Sequence, residues 1–65
     1  MDLEQIYYQT NRLLNAEVDA FDHQEQALAQ RLRQAWDAIK ATTNPAFHQL
    51  YEDRLTNIER KAQRQ

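Results

Sequence analysis

Apolar residues recur at helical spacing along most of the chain. The longer of two stripes alternates steps of four and three residues, is interrupted only by Glu25, and consists of Leu14, Val18, Phe21, Leu28, Leu32, Ala35 and Ile39. The second stripe has Phe47 and Leu50 beside it and consists of His48, Tyr51, Leu55, Ile58 and Ala62. Such spacing places each stripe on one face of an α-helix. Helix-forming residues dominate and glycine is absent, so the sequence predicts an all-α protein.

The first helix is predicted to begin after Asp2. The carboxylate of Asp2 can accept from free backbone N–H groups, and Gln5 stands three residues later, as a capping box requires. With no glycine or proline before residue 45, this helix is expected to run over about residues 3–41.

A hairpin turn is predicted where the chain carries its only proline. Two threonines are poor helix formers, the following proline disfavours helical backbone at the asparagine, and proline suits the first turn of a new helix. The predicted turn residues are Thr42, Thr43, Asn44 and Pro45. A shorter second helix over about residues 45–63 should follow and fold back on the first.

The two predicted helices differ in length. At about 1.5 Å per residue, the first would span about 58 Å and the second only about 30 Å. The hairpin therefore leaves apolar residues of the first helix uncovered, and their burial requires a second copy or a partner protein. The expected interface residues are Leu3, Ile6, Tyr7, Leu13, Leu14, Val18 and Phe21.

An alternative arrangement is a three-helix bundle with a break near residues 15–22. Asn15, Asp19 and Asp22 are possible caps there, and Asp22 and Glu25 have capping-box spacing. No glycine or proline marks a turn in this segment, and the apolar stripe continues in phase through it. We therefore favour the continuous helix.

Length and charge set further limits. A chain of 65 residues forms one domain, residues 1–65, and without cysteine it has no disulfide to stabilise it. Residues 1–22 hold five acidic residues against Arg12, a net charge of −4, and residues 23–65 hold seven basic against five acidic residues, a net charge of +2. This asymmetry suits antiparallel pairing with another copy, although scattered solvated charge explains it equally well.

The acidic start, Met1-Asp2-Leu3-Glu4, lacks the apolar run of a signal peptide, and no segment has the composition of a membrane span. We expect a soluble, cytoplasmic protein.

Residues that carry chemistry are scarce. The chain has no serine, cysteine or glycine, so it offers neither the usual hydrolase nucleophiles nor a phosphate-binding loop. Asp19 with His23, and His48 with Glu52, have helical spacing that could direct two ligands to one metal, but surface pairs explain them better. We predict no catalytic residues, no metal site and no cofactor, and hence a protein that is not an enzyme.

Nucleic-acid binding is a weaker alternative. Faces containing Arg31 and Arg54 could contact phosphates in a small helical dimer. A sequence pI of about 5.5 and the acidic residues between these arginines argue against it.

The spacing over about residues 21–58 resembles that of the bacterial type III secretion needle subunits, which are small helical hairpins. The matching positions are Phe21-Asp22, Leu28, Leu32, Ala35-Trp36-Asp37, Ile39, Asn44-Pro45, Tyr51 and Arg54-Leu55. The resemblance implies a filament subunit or hairpin co-chaperone of a secretion apparatus, and secretion through that apparatus. From the residues themselves, we favour a non-enzymatic interaction protein that dimerises or binds a partner protein through the apolar face of its N-terminal helix.

Overall fold

The described residues fold as an all-α bundle of three α-helices in the computed structural model, which describes residues 2–17 and 21–63. The helices are α1 (Leu3–Asn15), α2 (His23–Ile39) and α3 (His48–Gln63). Two short 3₁₀ turns, Lys40–Thr42 and Pro45–Phe47, join α2 to α3. No described residue lies in a β-strand, so the all-α prediction is confirmed.

The continuous first helix over about residues 3–41 is wrong. Helix α1 ends at Asn15, Ala16 has extended backbone (φ −71°, ψ 144°), and α2 begins after Asp22. The break lies in the segment 15–22, where the three-helix alternative places it. Val18, which carries the apolar stripe through this segment in sequence, lies outside the described residues.

Side chains satisfy the backbone groups that the break exposes. The carboxylate of Asp22 accepts from the N–H of Glu25 at 3.0 Å and caps the start of α2. At the other end of the break, the ammonium of Lys61 donates to two carbonyl oxygens in the last turn of α1, those of Leu13 (3.4 Å) and Leu14, and to the carbonyl of the C-cap residue Ala16 (2.8 Å). Since a helix end leaves such carbonyls without N–H partners, Lys61 serves α1 as a C-terminal cap in place of the more usual glycine.

Burial explains why the break is favourable. Folding α1 back onto the other helices buries Ile6 (0% exposed), Leu13 (1%) and Phe21 (1%) within the chain. Each such side chain contributes about 1.5–3 kcal/mol when fully buried. A backbone hydrogen bond lost at the break costs only about 0.5–1.5 kcal/mol net, and the caps replace part of it.

Helices α1 and α3 run parallel. Near the starts of both helices the hydroxyl of Tyr51 donates to the carbonyl of Leu3 at 3.5 Å. Further along both helices Arg54 Nε donates to Thr10 Oγ1 at 3.0 Å. The contact of Lys61 with the end of α1 continues the same order.

Helix α2 runs antiparallel to both. The indole N–H of Trp36 donates to Glu52 Oε1 at 2.9 Å, and Arg33 Nη2, further back along α2, donates to Glu59 Oε1 at 2.7 Å. The resulting up-down-up bundle measures 34 × 18 × 16 Å. Its buried apolar core contains Ile6, Leu13, Phe21, Ala29, Leu32, Trp36, Tyr51, Leu55 and Ile58.

The connection between α2 and α3 uses the residues expected from sequence. The hydroxyls of Thr42 and Thr43 donate to the carbonyl of Ile39 at 3.0 and 2.9 Å, which satisfies the end of α2. The side chain of Asn44 then accepts from the N–H of the second residue along at 3.0 Å, and Pro45 opens the next 3₁₀ turn. Chain reversal is therefore encoded locally.

Candidate interaction surface

Three of the expected interface residues are buried inside their own chain. Ile6, Leu13 and Phe21 belong to the core, so the expectation that Ile6 and Leu13 lack an intramolecular partner is wrong. The reason is the break, which lets α1 fold onto α2 and α3 and cover the face that a straight helix would expose.

The remaining expected interface residues fall into three groups. Leu3 and Leu14 are partly buried and pack against the core. Val18 lies outside the described residues. Tyr7 stays 42% exposed on α1. Of the seven, Tyr7 is the described residue most accessible to a partner.

Arg54 fastens α3 to α1. Its guanidinium lies 4.3 Å from the centre of the Tyr7 ring, its Nε donates to Thr10 Oγ1 at 3.0 Å, and its Nη2 donates to Asn11 Oδ1. The Thr10 hydroxyl is fully buried and donates in turn to the carbonyl of Tyr7 at 2.8 Å. A planar guanidinium can lie over an aromatic ring and direct hydrogen-bond donors at the same time, whereas an ammonium group lacks this planar arrangement of donors.

Tyr51 extends this contact into the core. Its ring stacks on Trp36 at 4.9 Å and meets the edge of Tyr7 at 6.2 Å. Burial raises the pKa of the Tyr51 hydroxyl above its ordinary value, so the phenol stays protonated at neutral pH and acts as the donor to Leu3. The contacts among the rings of Trp36, Tyr51 and Tyr7 hold Tyr7 in place at the surface.

Two further large apolar side chains lie exposed near the start of α3, Phe47 in the preceding 3₁₀ turn and Leu50 in the helix itself. Leu50, 44% exposed, stands one turn before Arg54, and Phe47, also 44% exposed, stands three residues before Leu50. Leu50 and Arg54, four positions apart within α3, share a helix face. We call Tyr7, Phe47 and Leu50 the seam patch, because Tyr7 contacts Arg54 and the other two residues precede Arg54 by seven and four positions along the chain.

An acidic margin adjoins the seam patch. Tyr8, 63% exposed, lies beside a shallow cleft of about 350 Å³ that Asp2, Glu4 and Gln5 also line. On α3, the exposed Asp53 follows Leu50 by three residues. Glu4 likewise stands three residues before Tyr7, so each helix carries an acidic residue at one-turn spacing from a patch residue. We call Asp2, Glu4 and Asp53 the acidic margin.

The opposite seam, between α2 and α3, is held by an ion-pair cluster. Arg33 donates to Glu52 at 2.6 Å and to Glu59 at 2.7 Å. These bonds raise the pKa of Arg33, and hydrogen bonds from Arg33 and then from Trp36 hold the pKa of Glu52 below its ordinary value. All the charged groups of this cluster are engaged with one another, which makes it a structural contact.

The histidine positions offer little chemistry. The ring of His48 lies 5.5 Å from the Trp36 ring, and its Nε2 lies 3.1 Å from the carbonyl of Thr43, so Nε2 must carry the proton. Asp19, half of the other metal hypothesis, lies outside the described residues. Within residues 2–17 and 21–63, no three His, Asp or Glu side chains are grouped to hold a metal ion. Nor is any helix in those ranges long and apolar enough to span a membrane.

Comparison with known proteins gives no relative: no protein-family model, curated protein or solved structure matches the chain. The resemblance to secretion needle subunits therefore stays a prediction. The function has to be argued from the residues and their arrangement.

Sequence reasoning missed the two cations that organise α1. Neither Arg54 nor Lys61 stands out by local spacing, since their partners lie 43 to 48 residues away. One available signal was their place on α3. Both flank the stripe of Tyr51, Leu55 and Ile58 on one side, where a third helix would meet them.

Proposed function

We propose that the protein is a small, non-enzymatic interaction protein that binds a partner protein through the seam patch. The observation that supports this is the exposure of three large apolar side chains outside the buried core, each of them 42–44% exposed. Grouped exposed apolar residues on a small protein are typical of interaction sites.

The composition of the patch favours tight contact. Tyrosine and arginine are enriched among residues that dominate binding energy, and here Tyr7 of the patch lies against Arg54. The neighbouring contacts of Arg54 with Thr10 and Asn11 fix the guanidinium before any partner arrives. A preorganised surface loses little side-chain entropy on binding.

The acidic margin specifies the partner's chemistry. Asp2 caps the start of α1, Glu4 lies in its first turn and Asp53 lies on α3, so acidic groups would face the rim of a partner seated on the patch. A complementary partner is an amphipathic helix that carries aliphatic or aromatic anchors on one face and lysine or arginine beside them.

A synthetic leucine–lysine amphipathic helix tests this proposal directly, with a leucine–glutamate helix of equal length as the matched control. We expect the basic peptide to shift the amide resonances of Tyr7, Phe47 and Leu50 in ¹⁵N-labelled protein, and the acidic peptide to bind at least tenfold more weakly. The variant Leu50→Gln should weaken binding of the basic peptide several-fold, whereas Gln34→Ala, on exposed α2 surface, should leave it unchanged.

Equal affinity for the two peptides, or resonance shifts spread away from the seam patch, would contradict the proposal. Light scattering on the same samples separates partner binding from self-association through the patch. The needle-subunit and nucleic-acid hypotheses stay predictions from sequence. Of the two arginines in the nucleic-acid hypothesis, Arg54 already contacts α1, and Arg31 is the exposed one.

A further inference from the structure

Helix α1 is held to the bundle by contacts that do not require it to belong to the same chain. The groove that receives it is formed by α2 and α3, and within residues 2–17 and 21–63 the side chains of Tyr51, Arg54 and Lys61 on α3 donate hydrogen bonds to it. An identical α1 from a second copy would fit this groove equally well.

The carbonyl oxygens at the end of α1 could accept from a different donor if the helix continued. Lys61 donates to the carbonyls of Leu13, Leu14 and Ala16, and these oxygens are the ones that the N–H groups four residues later would occupy if the helix continued. Asp22 likewise accepts from the N–H of Glu25, which a continuous helix would direct to the carbonyl four residues earlier. Both caps therefore stabilise the broken form alone.

The sequence itself fits the continuous form. It contains no glycine, its only proline is Pro45, and the stripe from Leu14 to Leu28 keeps helical phase. A straight helix over residues 3–39 would be about 55 Å long, more than the 34 Å length of the whole bundle. Such a helix would carry α1 out of its own groove.

We infer that the chain has a second state, a domain-swapped dimer in which α1 and α2 form one continuous helix and each α1 occupies the groove of the other copy. Ala16 and Glu17 form the hinge, and Lys61 acts as the latch that holds the closed monomer. The occupant of the groove is thus a second copy of this chain. The inference does not rest on the seam patch or on its partner.

The hinge allows a variant that blocks the second state without disturbing the first. Proline at position 17 would remove the N–H that a continuous helix directs to Leu13, and its ring would clash with that carbonyl. Proline also requires extended backbone at the preceding residue, and Ala16 already has it (φ −71°, ψ 144°). Glu17→Pro should therefore keep the closed monomer and abolish the dimer.

Two variants should act in the opposite direction. Lys61→Met removes the latch, and Asp22→Ala removes the cap of α2 from an exposed position. Each should lower the dissociation constant of the dimer about tenfold or more, because each weakens the monomer alone. If Lys61→Met fails to fold, the dissociation constant of the Asp22→Ala dimer still tests the inference.

The experiment refolds the full chain from denaturant at low and high protein concentration and measures mass by light scattering. Spin labels at the exposed positions 5 and 34, in chains diluted with unlabelled protein, report the distance within one chain. In the antiparallel monomer both positions lie in the half of the bundle that contains the start of α1 and the end of α2, and the cross-section of the bundle is 18 × 16 Å. In the swapped dimer they stand 29 residues apart on one helix, at about 44 Å.

Dimers that show the long distance, increase in Asp22→Ala and disappear in Glu17→Pro support the inference. Dimers that retain the short distance would indicate ordinary association of closed bundles and would overturn it. A monomer at every concentration in the wild type and in Asp22→Ala would overturn it as well.

Discussion

The carboxylate of Glu52 accepts from two different side chains of α2: the indole N–H of Trp36 at 2.9 Å and the guanidinium of Arg33 at 2.6 Å. One side chain of α3 thus fixes both the core tryptophan and the surface ion-pair cluster. The hydrogen bond from Trp36 gives an acceptor to Nε1, the only polar atom of that fully buried side chain.

Replacing Glu52 should separate these two roles. Glu52→Leu leaves the indole N–H of Trp36 without its acceptor, and should lower the free energy of unfolding by about 1–3 kcal/mol. Glu52→Gln keeps an acceptor oxygen and should cost less. Urea denaturation followed by Trp36 fluorescence measures both, with the exposed Asp53→Asn as a control expected to stay within about 0.5 kcal/mol. A larger loss for glutamine than for leucine would contradict this division of roles.

Acid should weaken the same contact. The pKa of Glu52 is lower in the folded protein than its ordinary value of 4.5, through hydrogen bonds from Arg33 and then Trp36. A lowered folded-state pKa gives stability that is present above the unfolded pKa and is lost as the pH falls through the folded one. We expect the free energy of unfolding to decline below about pH 4.5. The decline should be shallower in Glu52→Gln, and an identical pH profile in both proteins would count against Glu52 as a contributor.

Arg54 should not tolerate lysine. Arg54→Lys retains the charge but loses the guanidinium contact over the Tyr7 ring and the second directed donor, to Asn11. We expect a loss of about 1–2 kcal/mol in the free energy of unfolding. Arg31→Lys, on the exposed face of α2, is the matched control and should change it little. Equal effects of the two substitutions would show that the Arg54 contacts add nothing beyond charge.

Thr10 offers a test of the buried hydroxyl. Thr10→Val preserves the shape but leaves Arg54 Nε without its acceptor on a fully buried residue. It should destabilise the fold by about 1–3 kcal/mol, whereas Thr10→Ser, which retains the hydroxyl, should lose less. Thermal unfolding by circular dichroism compares the two. A valine variant as stable as the wild type would mean that the hydroxyl contributes little.

The sequence identified the individual residues of the seam patch but did not predict that they would lie together. The sequence marked Tyr7 as exposed on an uncovered helix and placed Phe47 and Leu50 beside the second stripe. It gave no reason to expect Tyr7 and Leu50 on the same seam, because that needs α1 to lie parallel to α3. The pairing is fixed by Arg54 and Tyr51, whose partners on α1 are more than 40 residues away.

The sequence by itself determined the helical class, the cap at Asp2 and the turn at Thr42–Pro45, because each depends on residues within one or two helical turns. Tertiary structure alone decided whether α1 and α2 are one helix or two. The local pattern supports either form, with Asp22 as a ready cap and no glycine or proline to force a break. The choice falls to burial of Ile6, Leu13 and Phe21, and to Lys61, which caps α1 from 45 residues away along the chain.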